Sequence, residues 1–279
     1  MSLGSPLITV YMPTHNRLNN LKRAVKSVLN QSYQNWQLII VNDGSSDGTK
    51  NYLEHLVLTD NRIYIFNNDT PKGACIARNI AINAATGEFI TGLDDDDEFT
   101  PNRLSYFLKS WKYPYTSLCT PVTICKRNKQ TVHRYFIGDL TIDDLLVINK
   151  VGNQLFCKTT DLKAINGFDP MFKAWQDYDT WLRFFEKNGR GKKLPESTYL
   201  QYEEANYKSI TRSPNRLIGF RQFFEKHQSL MSNKQKNAMF CWESIISGKW
   251  VSLKLLLKSH RDIYKYALLH NIKKIFGYK

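Results

Sequence analysis

Residues 88–97 read EFITGLDDDD, an apolar run that passes without a break into four consecutive carboxylates. The run is too short for a helix and rich in β-formers, and Gly87 closes it on the other side, so it predicts a buried strand. Working backward, residues 74–85 carry a helical pattern and 63–66 a third strand. A helix is expected near 49–58, after the turn Asn42-Asp43-Gly44-Ser45-Ser46-Asp47. That turn leaves a strand at 36–41 (WQLIIV). Earlier still, Leu21, Ala24, Val25, Val28 and Leu29 space a helix over 18–30, and LITVYM at 7–12 is a strand stopped by Pro13. Four strand–helix alternations with continuously apolar strands predict an α/β fold, a mostly parallel Rossmann-like sheet with helices on both faces. Ligands in such sheets bind beyond the carboxyl ends of the strands. The turns at 13–17, 42–47 and 94–97 are therefore expected around one crevice.

Beyond Pro101 the pattern changes. A helix is expected over 103–111, strands near 117–125, 131–137 and 152–157, and a helix over 177–187. From Ser213 the chain reads as helices with a loop near 232–236 and a break near Gly248. Strand order in this half has no signature in the sequence. The expected organisation is a cloning remnant at 1–5, a catalytic domain at 6–212 with halves 6–100 and 101–212, and a helical C-terminal segment at 213–279.

With 279 residues, 42% of them hydrophobic, the chain can bury a large core. No apolar run is long enough to span a bilayer. The five cysteines form no CxxC pair, which argues for buried or half-buried free thiols and, with the absence of a signal peptide, for the cytoplasm. The net charge of +14 is concentrated: fourteen of the 39 Lys/Arg, against three of the 25 Asp/Glu, fall from Ile210 onward. Such a segment suits an anionic surface. Over 250–276, Leu253, Leu256, Leu257, Ile263, Tyr264, Ala267 and Leu268 lie near one helical stripe with Lys254, Lys258, Arg261 and Lys265 opposite. This basic amphipathic pattern fits either peripheral contact with the inner face of the membrane or packing on the catalytic domain.

Three groups carry candidate chemistry. Asp94–Asp97 repel one another, so a hard divalent cation, Mn²⁺ or Mg²⁺, is their natural counterweight; a solvated turn before Pro101 is the plainer reading, and the position at the strand ends favours the ion. Asp43 could accept from a nucleotide base or simply cap a turn. Asp177 and Asp179 open a helix, where each suits a cap or a general base, and Trp175 and Trp181 suit sugar stacking or the core. There is no GxxxxGK[ST] loop, no GxGxxG after the first strand and no GxSxG elbow.

ITVYMPTHNR at 8–17, LNQSYQNWQLIIVNDGSSDGT at 29–49 and KGACIARNIAINAATGEFITGLDDDDEFTPNRL at 72–104 together resemble the family 2 glycosyltransferases. The resemblance covers 7–108 and resumes at Gly167-Phe168-Asp169 and over 176–183. It implies the GT-A fold of nucleotide-diphospho-sugar transferases and inversion at the anomeric carbon. It also implies a divalent cation, a UDP-sugar or other NDP-sugar donor, and a glycan or lipid-linked oligosaccharide acceptor in bacterial surface polysaccharide assembly. Pro13, Thr14, Asn16 and Arg17 would line the nucleotide pocket, Asp43 would hold the base, and Gly73, Arg78 and Asn79 would lie near the donor. Asp94 or Asp95 would meet the ribose, Asp96 the metal, and Asp97 would stand behind them. Asp177 matches the catalytic base, with Trp175, Gln176 and Asp179 beside it toward the acceptor. Asn42 and Gln176 stand where the family often has acids, and Gln176 removes a charge next to the base. An inactive sugar-nucleotide-binding member and a nucleotidyltransferase are the alternatives. A nucleic-acid partner is not expected, because it would leave the acidic run unexplained.

Overall fold

The structure, a computed structural model, describes residues 5–126, 129–133, 136–203 and 215–276. The expected boundary at 212/213, most of the remnant at 1–5 and part of the strand expected at 131–137 lie outside them. The first half alternates as β1 Ile8–Thr14, α1 Leu18–Leu29, β2 Trp36–Asp43, α2 Thr49–Leu56, β3 Ile63–Asn68, α3 Ala74–Ala84 and β4 Phe89–Gly92. β1 lies between β2 and β4, parallel to both, with Ile8 opposite Trp36 and opposite Phe89. Their side chains divide strictly by parity. Ile8, Val10, Met12, Leu38 and Ile40 enter one core with α1 and α2, while Tyr11, Ile39 and Val41 enter the other with α3. Both faces are buried, which is why these strands read as unbroken apolar runs and not as alternating ones.

The second half continues as β5 Glu98–Phe99, α4 Arg103–Ser110, β6 Ser117–Cys119, β7 Val122–Lys126, β8 Lys129–His133, β9 Gly138–Leu140 and α5 Ile142–Leu145. Then come β10 Phe156–Lys158, α6 Thr159–Ala164, α7 Gln176–Asn188, β11 Gly191–Lys193 and β12 Tyr199–Tyr202. The main sheet has the order β3-β2-β1-β4-β10-β6-β11-β9, and a smaller one the order β5-β12-β7-β8. β10 is antiparallel to β4 and β6, so the sheet stops being purely parallel where the sequence pattern fades. The single strand expected over 117–125 is two strands in different sheets, parted at Thr120-Pro121. The strand expected over 152–157 shortens to β10. Because β5 follows the acidic run directly and pairs with β12, the second sheet supports that run.

The C-terminal helices are α8 Asn215–His227, α9 Asn233–Ile246, α10 Leu253–Leu257 and α11 Tyr264–Ile275. Phe220, Phe223, Met231 and Met239 join the same core as α7, and a smaller core gathers Val147, Ala238, Val251, Leu256, Ile263 and Ala267. Two expectations are corrected here. Residues 233–236 are the first turn of α9 and not a loop, because Ser232 and Gln235 form a reciprocal capping box. The stripe at 250–276 is not one helix; caps at Ser252 and His260 start it twice. The expected break near Gly248 is present, with Gly248 at φ +65 closing α9. All five cysteines are buried free thiols. No helix of the described residues is long and apolar enough to cross a membrane.

Candidate active site

The three turns at the strand ends meet. Asn16, at φ +52, receives the backbone N–H of Ser46 on Oδ1 (2.7 Å) and donates its own N–H to Ser45 Oγ (3.0 Å). Leu18 N–H donates to Asp47 (2.9 Å), and His15 Nδ1 lies 2.7 Å from Asp43 O. These bonds fasten the first turn to the second. Arg17 then crosses to the third, its Nη1 donating to Asp95 Oδ1 (3.1 Å) and Asp96 Oδ2 (2.6 Å).

Asp43 is buried at the end of β2, and its carboxylate is heavily used. Oδ1 accepts from Lys72 N–H (2.8 Å) and Asn68 Nδ2 (2.7 Å), and Oδ2 from Gly73 N–H (2.7 Å). It therefore shapes the loop that opens α3, whatever else it binds. Gly44 has φ +67, and a Cβ there would sit 2.7 Å from Pro71 N, so this turn requires glycine. Pro13 and Thr14 are buried at the end of β1.

The acidic run is neutralised unevenly. Asp94 pairs with Arg78 Nη2 (2.9 Å), a buried guanidinium from α3. Asp95 and Asp96 share Arg17, and Arg23 Nη2 donates to the carbonyl of Asp96. Asp97 is buried, accepting from Tyr202 N–H (3.0 Å) with Tyr199 beside it. Burial pushes the Asp95 carboxyl up to about 6 against the pull of Arg17, with Asp96 and Asp94 adding to the rise. Burial and neighbouring carboxylates likewise raise Asp96 and Asp97. Four carboxylates in this setting still lack positive charge with both arginines in place. Asp95 and Asp96 already aim one oxygen each at a single cationic nitrogen. An oxygen-ligated divalent ion fits that donor set, completed by water or phosphate oxygens. Among the described residues no cluster of three or more His, Cys, Asp or Glu side chains could hold an ion alone.

Arg78 is also the bridge to α7. Its Nη1 reaches Gln176 Oε1 (3.4 Å) at the start of α7, and Gln176 donates to Phe172 O (3.1 Å). Asp177 follows, half-buried. Desolvation pushes its carboxyl up to about 6, opposed by Arg78 and reinforced by Asp94. A group poised there can take a proton near neutral pH.

Other predicted residues serve the frame. Asp179 is fully buried and faces away, bonded to Arg183 (2.8 Å), Lys226 (2.9 Å) and His227 (2.8 Å). Burial alone would raise its carboxyl, but the His227 hydrogen bond and the two cations hold it at about 2. Trp181 is core, and Trp175, at φ +65, stacks on Tyr178 and packs on Phe220 and Phe223. Asn79 bonds both ways to the backbone of Phe168 (2.7 and 2.8 Å), anchoring the Gly167-Phe168 segment. Sequence reasoning missed Gln154 and Tyr199. Gln154 accepts from Tyr11 Oη (2.9 Å) and donates toward Asp94 (3.5 Å), while Asp94 N–H donates to Tyr199 Oη (3.3 Å). No spacing rule reports contacts between such distant segments.

The fold is that of the GT-A type. Residues 9–168 match the family described as glycosyl transferase family 2, and the chain belongs to that family. It is 37% identical over 239 residues to WcaA of Escherichia coli K12, provisionally named a colanic acid biosynthesis glycosyl transferase, covering 84% of this chain and 85% of that one. It is 30% identical over 189 residues to Escherichia coli WfgD, a UDP-Glc:α-D-GlcNAc-diphosphoundecaprenol β-1,3-glucosyltransferase, covering 65% and 71% of the two chains. Among solved structures, Staphylococcus aureus TarS 1–349 in complex with UDP-GlcNAc superposes with a TM-score of 0.66 at 14% identity, over 97% of this chain and 89% of that one.

Proposed function

We propose that this glycosyltransferase moves a sugar from a UDP-sugar to a hydroxyl of a lipid-linked bacterial surface glycan, inverting the anomeric carbon with Asp177 as base. The observation that carries this is the Arg78 bridge, which joins the acidic run of the donor side to the helix start bearing Asp177. The relatives supply the donor and acceptor classes. Asp177 accepts the acceptor's proton as the hydroxyl oxygen bonds to the anomeric carbon and the nucleoside diphosphate departs from the opposite face. Arg78 keeps Asp94 neutralised beside it, and the Asn16 and Asp43 contacts fix the nucleotide side. Asp96, with Asp95, is the proposed holder of a divalent ion, which when bound offsets charge on the leaving diphosphate.

A thermal-shift series with UDP, UDP-sugars and other nucleotides, with and without Mn²⁺, tests the donor site. Stabilisation by UDP is expected to need the ion and to vanish in Asp96→Ala. At about 100 times Kd a ligand adds about 2.7 kcal/mol, a rise of several degrees. No shift with any nucleotide at millimolar concentration would sink the reading. UDP release from the stabilising donor separates an active enzyme from one that only binds.

The lipid-linked acceptor has a physical counterpart. Leu253, Leu257, Leu268, Leu269, Ile272 and Phe276 stay exposed on α10, α11 and the residue after it. Lys254, Lys258, Lys265, Lys273 and Lys274 flank them, also exposed. We propose that this face lies on an anionic bilayer, its leucines in the headgroup boundary and its lysines on the phosphates. The protein should float with phosphatidylglycerol-containing vesicles and not with phosphatidylcholine alone. The double change Leu268→Asp and Ile272→Asp should weaken flotation by roughly tenfold or more. Equal flotation of both proteins would remove this surface from consideration.

A further inference from the structure

Each carboxylate of the acidic run has a different kind of partner, and the kinds are not equally removable. Asp94 is held by Arg78, which is buried, lies 5.1 Å above the Phe168 ring and also touches Gln176. Asp97 is held by neutral donors from β12. Arg23 is committed to the Asp96 carbonyl and to Glu98 (3.1 Å). Asp95 and Asp96 alone depend on Arg17, whose side chain is 22% exposed and rises from a turn already in the left-handed conformation at Asn16. Arg17 sits at the rim of the crevice, outside the hydrophobic cores.

Its position is also the one an ion needs. Nη1 lies 2.6 Å from Asp96 Oδ2 and 3.1 Å from Asp95 Oδ1, so a hard cation using those two oxygens and the guanidinium exclude one another. An expelled guanidinium loses two charged partners and needs an anion. A diphosphate arriving beside the same carboxylates supplies one, in the forked geometry that arginine matches best.

We propose that Arg17 is an exchangeable counter-cation. It neutralises Asp95 and Asp96 in the donor-free enzyme, yields them to the divalent ion, and turns to the donor's diphosphate, so that ion and donor bind with positive coupling. The inference rests on the reading of this crevice as a metal-assisted nucleotide-sugar site. Its consequence is order: the ion alone must displace Arg17 into water, whereas the ion together with the nucleotide gives Arg17 a new partner. Free Mn²⁺ is therefore kept out of an empty site, and Asp95 and Asp96 are never left without a cation.

Mn²⁺ binding followed by the electron paramagnetic resonance of the free ion, with and without UDP, tests the exchange in wild type, Arg17→Met and Arg17→Lys. Arg17→Met should bind Mn²⁺ alone at least about fivefold more tightly than wild type, because the competitor is gone, and should bind UDP at saturating Mn²⁺ about 5- to 150-fold more weakly. Arg17→Lys retains a competing charge and should fall between the two in both titrations. If Arg17→Met binds Mn²⁺ alone no more tightly than wild type while UDP still brings the ion in, the exchange is wrong and the donor site stands. If wild type takes up no Mn²⁺ with or without UDP, the metal-assisted reading and the exchange both fall. A melting curve of each variant confirms that the titrations report folded protein.

Discussion

Asp177→Asn is expected to lower kcat by roughly 100- to 10,000-fold, the usual contribution of a positioned general base, with donor affinity nearly unchanged. The amide keeps the shape of the side chain but cannot accept the acceptor's proton. The pH dependence identifies the residue. The base works as the carboxylate, and desolvation holds its pKa at about 6, so the wild-type rate should rise with pH up to about 6 and flatten above it. In the asparagine variant the residual rate should lose that limb. Stability should move the other way. A carboxyl whose folded pKa lies above its unfolded value of about 3.9 favours the fold when protonated. That contribution is full below the unfolded value, is lost as pH climbs through about 6, and stays lost at pH 8. The neutral variant should therefore melt no lower than wild type at pH 8. A residue that mattered only for structure would show the reverse pattern, lower melting with a rate that follows the folded fraction. A variant retaining more than a tenth of wild-type kcat would exclude Asp177 as the base.

The difference between what could and could not be read from the chain lies in the range of the interactions. Strands β1, β2 and β4 announce themselves because both faces are buried, and parity then assigns Val10 to one core and Tyr11 to the other without further information. The meeting of the three turns follows from parallel strands alone, since parallel strands deliver their carboxyl ends to one edge. β10, β6, β11 and β9 are three residues each, too short for any periodicity, and their order is set by partners far away in the chain. The acid run was visible as chemistry, but its supports were not. Tyr199 lies 105 residues from Asp94 and Gln154 60 residues away, and both are ordinary polar residues in sequence. Asp177 and Asp179 were indistinguishable by spacing as caps or bases. Two residues apart on a helix they point in very different directions, and the structure turns Asp179 toward α8 and leaves Asp177 beside Arg78. The Ser232–Gln235 cap was legible in principle, since Ser-x-x-Gln is a helix-start pattern, but the polar turn after it reads equally as a loop.

Arg78→Met should have the largest effect on stability. Methionine keeps the length and the packing over Phe168 but removes the charge that Asp94 faces at 2.9 Å. Arg78 is buried but the Asp94 side chain is 23% exposed, so deleting the cation costs toward the low end of the range for a buried pair, about 3 kcal/mol. For a domain of this size that is a fall in Tm of about 10 °C. Gln154 at 3.5 Å is a weak replacement for Asp94, being neutral and already bonded to Tyr11. The same substitution should also be visible in the pH profile of the molecules that remain folded. Arg78 is the charge that holds the Asp177 pKa down against desolvation and Asp94, so its loss moves the acid limb of the rate above 6 toward neutral pH. Arg78→Lys separates the two effects, because a point charge can serve Asp94 but cannot also fork to Gln176. It should recover most of the melting temperature and less of the rate. The neutral amide at 176 is part of this balance: an acid there would compete for the same guanidinium and leave less of its charge for Asp94 and Asp177. An Arg78→Met protein that melts within about 2 °C of wild type would show that the bridge is not needed to neutralise Asp94. A pH profile unmoved in that protein would show that the base does not feel it.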